Sequence, residues 1–291
     1  MTPGQMLRSL FARTNKITQL VGVVNAYNAI LAGSVGFEAL YLSGAGVANA
    51  SLGLPDLGLT NLNDVLEDLR RITRVTSLPI LVDVDTGWGG PLNVKRTFSE
   101  ISRQGAAGAH IEDQTSDKRC GHLEGKRLVS EKEMVMRIES ARLGRVYDDF
   151  MIIARTDAVT VEGVEKAISR AKGYEEAGAD MIFAEAVSTL DDYRRFVDAL
   201  SVPILANITE FGKTPLFTIQ ELASCGVKAA IYPLSGFRAM NFAAKRVFET
   251  IKNEGSQKSM IPNMQTRQEL YKILDYEAQE NFISKMSDDL N

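Results

Sequence analysis

The strongest constraint on this chain is an alternation that runs its whole length. Short, nearly continuous apolar runs end in polar residues or glycine, and each is followed by a longer stretch with charges at helical spacing. The runs are 19–27, 39–43, 80–85, 107–113, 151–157, 181–185, 203–209 and 229–234. A strand apolar on both faces has to be covered on both, which is the situation of a parallel sheet under helices. The stretches 61–72, 93–104, 130–144, 161–177, 190–199, 219–224 and 236–253 supply those helices. Eight such units predict an α/β chain of (β/α)₈ TIM-barrel type, a fold that takes roughly 250 residues, so 291 residues leave room for additions at the ends.

Local punctuation agrees with one domain over 1–291. Ser130 precedes Glu133 by three residues, as in a capping box, and Gly105 and Gly178 stand where helices stop. No stretch rich in proline, glycine or serine divides the chain. At the N-terminus, Leu7, Leu10 and Phe11 predict a short helix over 1–16 that caps the barrel floor; Arg8, Arg13 and Lys16 without an acid would also suit an organelle presequence. From about Pro262, helical spacing over 268–278 predicts an extension the barrel does not need.

Composition narrows the function. A net charge of -4 lacks the basic excess of nucleic-acid binders. No apolar run reaches the ~20 residues of a membrane span, and two distant cysteines, Cys120 and Cys225, suggest free thiols in a reducing compartment such as the cytoplasm.

In such a barrel the chemistry gathers at the C-terminal strand ends. Asp83 and Asp85 alternate there and point to one face, with Glu112 and Glu185 further round, a hard-oxygen set suited to Mg²⁺. Taken singly, each carboxylate also suits helix capping or pairing with Arg155. A second cluster, Lys118-Arg119-Cys120-Gly121-His122, surrounds a thiol with cations and an imidazole, which favours thiolate and points to proton transfer or nucleophilic attack on a segment able to act as a lid. A third set, Arg155, Arg238 and Arg267 with Asn207 and Thr209, suits a substrate with two or three carboxylates. His110 reads as a buried hydrogen-bonding residue and Cys225 as structural. A barrel retained only for binding is the other class open at this point.

The stretches Tyr41-Leu42-Ser43-Gly44-Ala45-Gly46, Leu54-Pro55-Asp56, Asp83-Val84-Asp85-Thr86-Gly87-Trp88-Gly89, Lys118 to His122, Ala154-Arg155-Thr156-Asp157, Asn207-Ile208-Thr209-Glu210-Phe211-Gly212 and Met264-Gln265-Thr266-Arg267 resemble the isocitrate lyase and phosphoenolpyruvate mutase superfamily, and within it the 2-methylisocitrate lyases. The cysteine run is the most specific of them, and the chain is too short for an isocitrate lyase. The resemblance implies Mg²⁺-dependent cleavage of a tricarboxylate, (2S,3R)-2-methylisocitrate, to pyruvate and succinate in propionate breakdown. It also implies a homotetramer with exchanged C-terminal helices.

By matching position it places Ser43, Gly44 and Ala45 at the pyruvate portion, Asp83 and Asp85 at the metal, and Cys120 with Gly121 at the succinate portion. Cys120 is the implied general acid. Arg155, Glu185, Asn207, Ile208, Thr209, Arg238 and Arg267 line the remainder, Asp56, Glu112, Lys118 and His122 support them, and Tyr41 is the candidate base. Ala45, Trp88 and the stretch Leu123-Glu124-Gly125 depart from the family pattern.

Overall fold

The computed structural model describes residues 1–14 and 16–288. Strands β1 Thr18–Gly22, β2 Ala39–Leu42, β3 Ile80–Asp83, β4 Gly108–Glu112, β5 Met151–Thr156, β6 Met181–Ala184, β7 Ile204–Asn207 and β8 Ala229–Tyr232 follow one another around a closed, all-parallel barrel. The seam is β1 on β8, with Leu20 opposite Ile231. Around it, in chain order, run α1 Pro3–Phe11, α2 Ala26–Val35, α3 Gly44–Gly46, α4 Leu62–Thr73, α5 Pro91–Arg103, α6 Glu131–Gly144, α7 Val159–Glu162, α8 Val164–Glu176, α9 Leu190–Ala199, α10 Ile219–Ser224, α11 Ser235–Glu254, α12 Arg267–Ile273 and α13 Tyr276–Asp288.

Two buried layers result. Inward side chains such as Leu20, Leu81, Ile153, Phe183 and Leu205 fill the barrel, and Leu7, Leu10 and Phe11 of α1 join them from below. The N-terminal segment is therefore a floor helix, capped by Thr2 and tied down by Arg8, which donates to the Asp149 carbonyl at 2.9 Å and pairs with Asp180 at 2.8 Å. The outer layer packs helix faces, among them Leu69, Phe98 and Ile138, on the barrel's outside.

Three predicted boundaries shift. The run 19–27 is not one strand: β1 stops at Gly22, and Asn25 caps α2 by accepting from the Asn28 amide at 2.9 Å. Gly22 passes so near Pro233 that a Cβ would lie 1.8 Å from its carbonyl oxygen. The helix over 161–177 breaks at Gly163 (φ 89°) into α7 and α8, and the tail helix breaks at Asp275 (φ 52°) into α12 and α13. The strand ladders also end one or two residues before most apolar runs do, so Asp85, Asp113, Asp157, Glu185 and Thr209 lie just beyond the ladders, and of these Glu185 and Thr209 line the barrel mouth. No described helix is long and apolar enough to cross a membrane.

Candidate active site

The mouth holds a cavity of about 250 Å³ lined from β2 to β8 and roofed by the segment that follows β4. On its β3 side, Asp83 accepts from the Gly44 amide and the Asp85 amide, each at 3.0 Å. Gly44 is needed there, because a Cβ would meet the Asp83 and Asp85 carboxylates at 3.1 and 3.2 Å. Asp85, held at φ 47°, pairs with Lys118 at 2.6 Å, and Lys118 also reaches Asp56 at 2.6 Å. Lys118 thus serves the carboxylates.

Burial raises the Asp83 carboxyl's pKa, but His110, Lys118 and Arg155 outweigh it and leave Asp83 below its ordinary range. Asp85 is pushed up, by burial first and by Asp83 against the pull of Lys118. Glu112 lies fully buried with neither carboxyl oxygen hydrogen-bonded, and burial drives its pKa well up despite Arg155 3.4 Å away.

Among the described residues no three carboxylate, imidazole or thiol groups gather as a ready cage for a metal. One pair of hard oxygen donors, a further carboxylate with no hydrogen bond beyond its ion pair to Arg155, and open cavity space still fit Mg²⁺, which takes one or two carboxylates and leaves the remaining positions to water and substrate.

Cys120 is half-buried and unpaired on the roof. The sequence predicted a thiolate, and the structure reverses that: burial raises the thiol's pKa, as do Asp56 and Glu185, against the pull of Arg155. The flanking cations are spent elsewhere, Lys118 on two aspartates and Arg119 in solvent. Cys120 keeps its proton at neutral pH.

Gly121 then passes so close to the barrel that a Cβ would sit 2.4 Å from Arg155 Nη2 and 2.5 Å from Glu185 Cγ. Arg155 is braced by Asp157 at 2.9 and 3.1 Å and by Glu185 at 3.3 Å, and lies 5.1 Å over the Phe183 ring. Burial raises the Glu185 pKa, but Arg155 and His122 outweigh it and hold the group well below the usual carboxylate range. His122 accepts from the Lys213 amide through Nδ1 at 3.0 Å, which leaves Nε2 to donate to Glu185 at 3.1 Å, a tautomer assigned from its partners. Asn207 donates to the same carboxylate at 3.2 Å.

Ser43, Ala45, Thr209 and Arg238 complete the lining; Arg238 is half-exposed, near Glu210 and 5.5 Å over the Phe211 ring. Five expected residues do not line the cavity: Gly44, Asp85 and Glu112 lie behind its wall, touching Asp83, Lys118 and Arg155 respectively, and Ile208 and Arg267 stand further off. Ile208 sits in the outer core, because its place at the end of β7 turns the side chain away from the mouth. Arg267 begins α12 on the exposed surface. Tyr41 lines the cavity, but burial, then Asp83, push its phenol well above the ordinary range. Its hydroxyl lies 2.8 Å from His110 Nε2, and the raised phenol speaks against the base role the resemblance implied. His110 is a buried hydrogen-bonding residue stacked on Tyr41.

Sequence reasoning missed Phe183 and Leu234 on the wall, and Gln114, whose amide binds the Arg119 carbonyl and amide at 2.9 and 3.0 Å. It also missed Lys126, buried below the roof. Position in the same loop as Cys120 was the available signal for the last two. A larger cavity of about 420 Å³ lies under the barrel floor beside Arg8 and Asp180, away from every group described above.

Residues 7–252 match the phosphoenolpyruvate phosphomutase family. A 2-methylisocitrate lyase of Shewanella oneidensis is 54% identical over 98% of both chains. The chain belongs to the 2-methylisocitrate lyase family. A second member, from Escherichia coli, is 55% identical over 94% of this chain and 93% of its own. Among solved structures, that of a 2,3-dimethylmalate lyase, described as a PEP mutase/isocitrate lyase superfamily member, superposes with a TM-score of 0.89 at 33% identity, covering 98% of this chain and 96% of that one. These family members are carbon–carbon lyases, and the roof that carries Cys120 in this chain closes over the barrel end where chemistry gathers in this fold.

Proposed function

We propose that this chain is a Mg²⁺-dependent lyase that cleaves (2S,3R)-2-methylisocitrate to pyruvate and succinate, in the cytoplasm, as a step of propionate breakdown. The observation that carries this reading is that the Cys120 thiol, its pKa raised by burial, lines the same cavity as the Asp83 carboxylate and the buried Arg155 guanidinium. One wall offers hard oxygens, the other an acid.

A metal ion held by Asp83 and Asp85 would acidify the substrate's hydroxyl and take up charge on its carboxylate. Once that hydroxyl has given its proton to solvent, from which the thiol is later restored so that protons balance, the bond between carbons two and three breaks. Its electron pair moves onto carbon three, and the new carbonyl leaves as pyruvate. Cys120 gives its proton to carbon three, which completes succinate and leaves a thiolate that is reprotonated before the next turnover. Arg155, held in place by Asp157 and Glu185, faces substrate carboxylate charge, and Asn207, Thr209 and Ser43 offer neutral hydrogen-bonding groups in a space with little water. Tyr41 holds its proton and orients groups near Asp83.

The oligomer belongs to the same reading. Helix α11 carries no buried residue and presents Phe242 and Phe248, each 69% exposed, while α13 presents Phe282 and Ile283 at 63%. A homotetramer with exchanged C-terminal helices would cover these faces.

A coupled pyruvate assay over 2-methylisocitrate, isocitrate and 2,3-dimethylmalate tests the substrate. The expected order puts 2-methylisocitrate first in kcat/KM by at least about tenfold, a margin within reach of one well-packed alkyl group. Equal or faster cleavage of isocitrate would overturn the choice.

A further inference from the structure

Lys126 is a cation that the chemistry above does not use. Its ammonium is buried beneath the roof, with a side chain 1% exposed, and it pairs with Asp157, 0% exposed, at 3.0 Å. It also donates to the carbonyl oxygen of Gly121, next to Cys120. An ammonium so placed is costly to bury unless both charge and hydrogen bonds are matched, and here the match runs to one roof carbonyl and one barrel carboxylate.

That carboxylate is rigidly seated. Asp157 accepts two guanidinium hydrogen bonds from Arg155, and its amide donates to Asp113 at 2.9 Å. Asp113 is fixed in turn by Thr156 at 2.8 Å and Tyr174 at 2.9 Å. The other ties on the roof attach elsewhere along it: Gln114 grips Arg119, Lys118 grips Asp56 and Asp85, and Lys213 meets His122. Among these ties, Lys126 is the one that holds Gly121, through the carbonyl of its peptide with His122, one residue after Cys120 and at the close contact with Arg155.

We infer that Lys126 is a positioning residue: it clamps the Gly121 carbonyl to Asp157 and so holds the Cys120 thiol at the depth where it meets substrate. The inference rests on the proposed lyase reading for its kinetic consequence, and on geometry alone for its structural one. Methionine at this position would fill the same space without the clamp. The segment would then open locally while the barrel stays folded.

The test uses full-length wild type, Lys126→Met, Lys126→Gln and Lys126→Arg, without metal or substrate, labelled by iodoacetamide and read at Cys120 and Cys225 by peptide mass spectrometry. Cys225, on the far side of the barrel wall and 3% exposed, is the internal reference. In Lys126→Met, Cys120 should react about tenfold faster as the segment opens, with Cys225 unchanged. Pyruvate formation should show kcat down about 100-fold, the scale of an acid misplaced by an ångström, with KM within about threefold, and Lys126→Arg should recover most of it. Where far-UV circular dichroism shows Lys126→Met unfolded, Lys126→Gln is read by the same criteria.

Unchanged Cys120 reactivity in a folded variant, equal acceleration of both cysteines, or a change confined to KM overturns the inference. Failure of the wild type to form pyruvate would instead overturn the functional reading, and the labelling result would still decide Lys126.

Discussion

At the scale of single residues, burial decides more than sequence neighbours do. Cys120 follows two cations in the chain and precedes an imidazole, yet Lys118 is taken by Asp56 and Asp85, and burial raises the thiol's pKa. Proximity in sequence suggested a thiolate, for proton transfer or nucleophilic attack, and the raised pKa instead suits the proposed acid role. His110 shows the same rule, because burial lowers its pKa to about 4, only partly opposed by Asp83. Unfolded, the imidazole takes its proton near 6.5, so between those values the unfolded state holds more protons and stability rises with pH. Urea titrations of metal-free protein should therefore show wild type losing roughly 3 kcal/mol more than His110→Gln on going from pH 7 to pH 4. Parallel losses in the two proteins would contradict this reading of His110.

At the scale of elements, the strands were legible because a parallel strand buried on both faces leaves an unbroken apolar run, and the capping of α6 by Ser130 was visible in its spacing. Helix α2 was not legible. Between Ala26 and Val35 it carries no charged residue, so no polar stripe marks it off from the apolar run before it. The breaks at Gly163 and Asp275 need positive φ, which spacing alone does not reveal. The carboxylates at strand ends were readable as a set, whereas Ile208 was misplaced because β7 alternates and its partner Asn207 takes the inward position. Lys126 and Gln114 had only their place in the Cys120 loop to mark them, because their work is to hold that loop and loop contacts have no period.

The last helices form the element most incomplete in a single chain. Ending the protein after Asn253 removes α12 and α13 while leaving the barrel ladder whole. Light scattering should give a mass four times that of the chain for wild type and a smaller assembly for the truncation. A wild-type monomer would contradict the proposed exchange of helices.

At the scale of the whole molecule, the barrel brings the Asp83 carboxylate from one strand end, a guanidinium from another and a thiol from a roof segment into one cavity, with Asp85 behind Asp83 and α1 sealing the opposite end. Most of that arrangement follows from alternation and strand-end residues; the roof's depth and the protonation of its thiol follow only from packing. On the proposed reading this cavity runs a metal-assisted carbon–carbon cleavage. Its most direct test is pyruvate release from 2-methylisocitrate by one wild-type preparation, measured as purified with Mg²⁺, after EDTA, and after Mg²⁺ is restored. The account predicts turnover, a loss of at least about 100-fold on chelation, given the several kcal/mol a Lewis acid supplies, and full recovery. Undiminished pyruvate release in EDTA, or none in any of the three conditions, would contradict it.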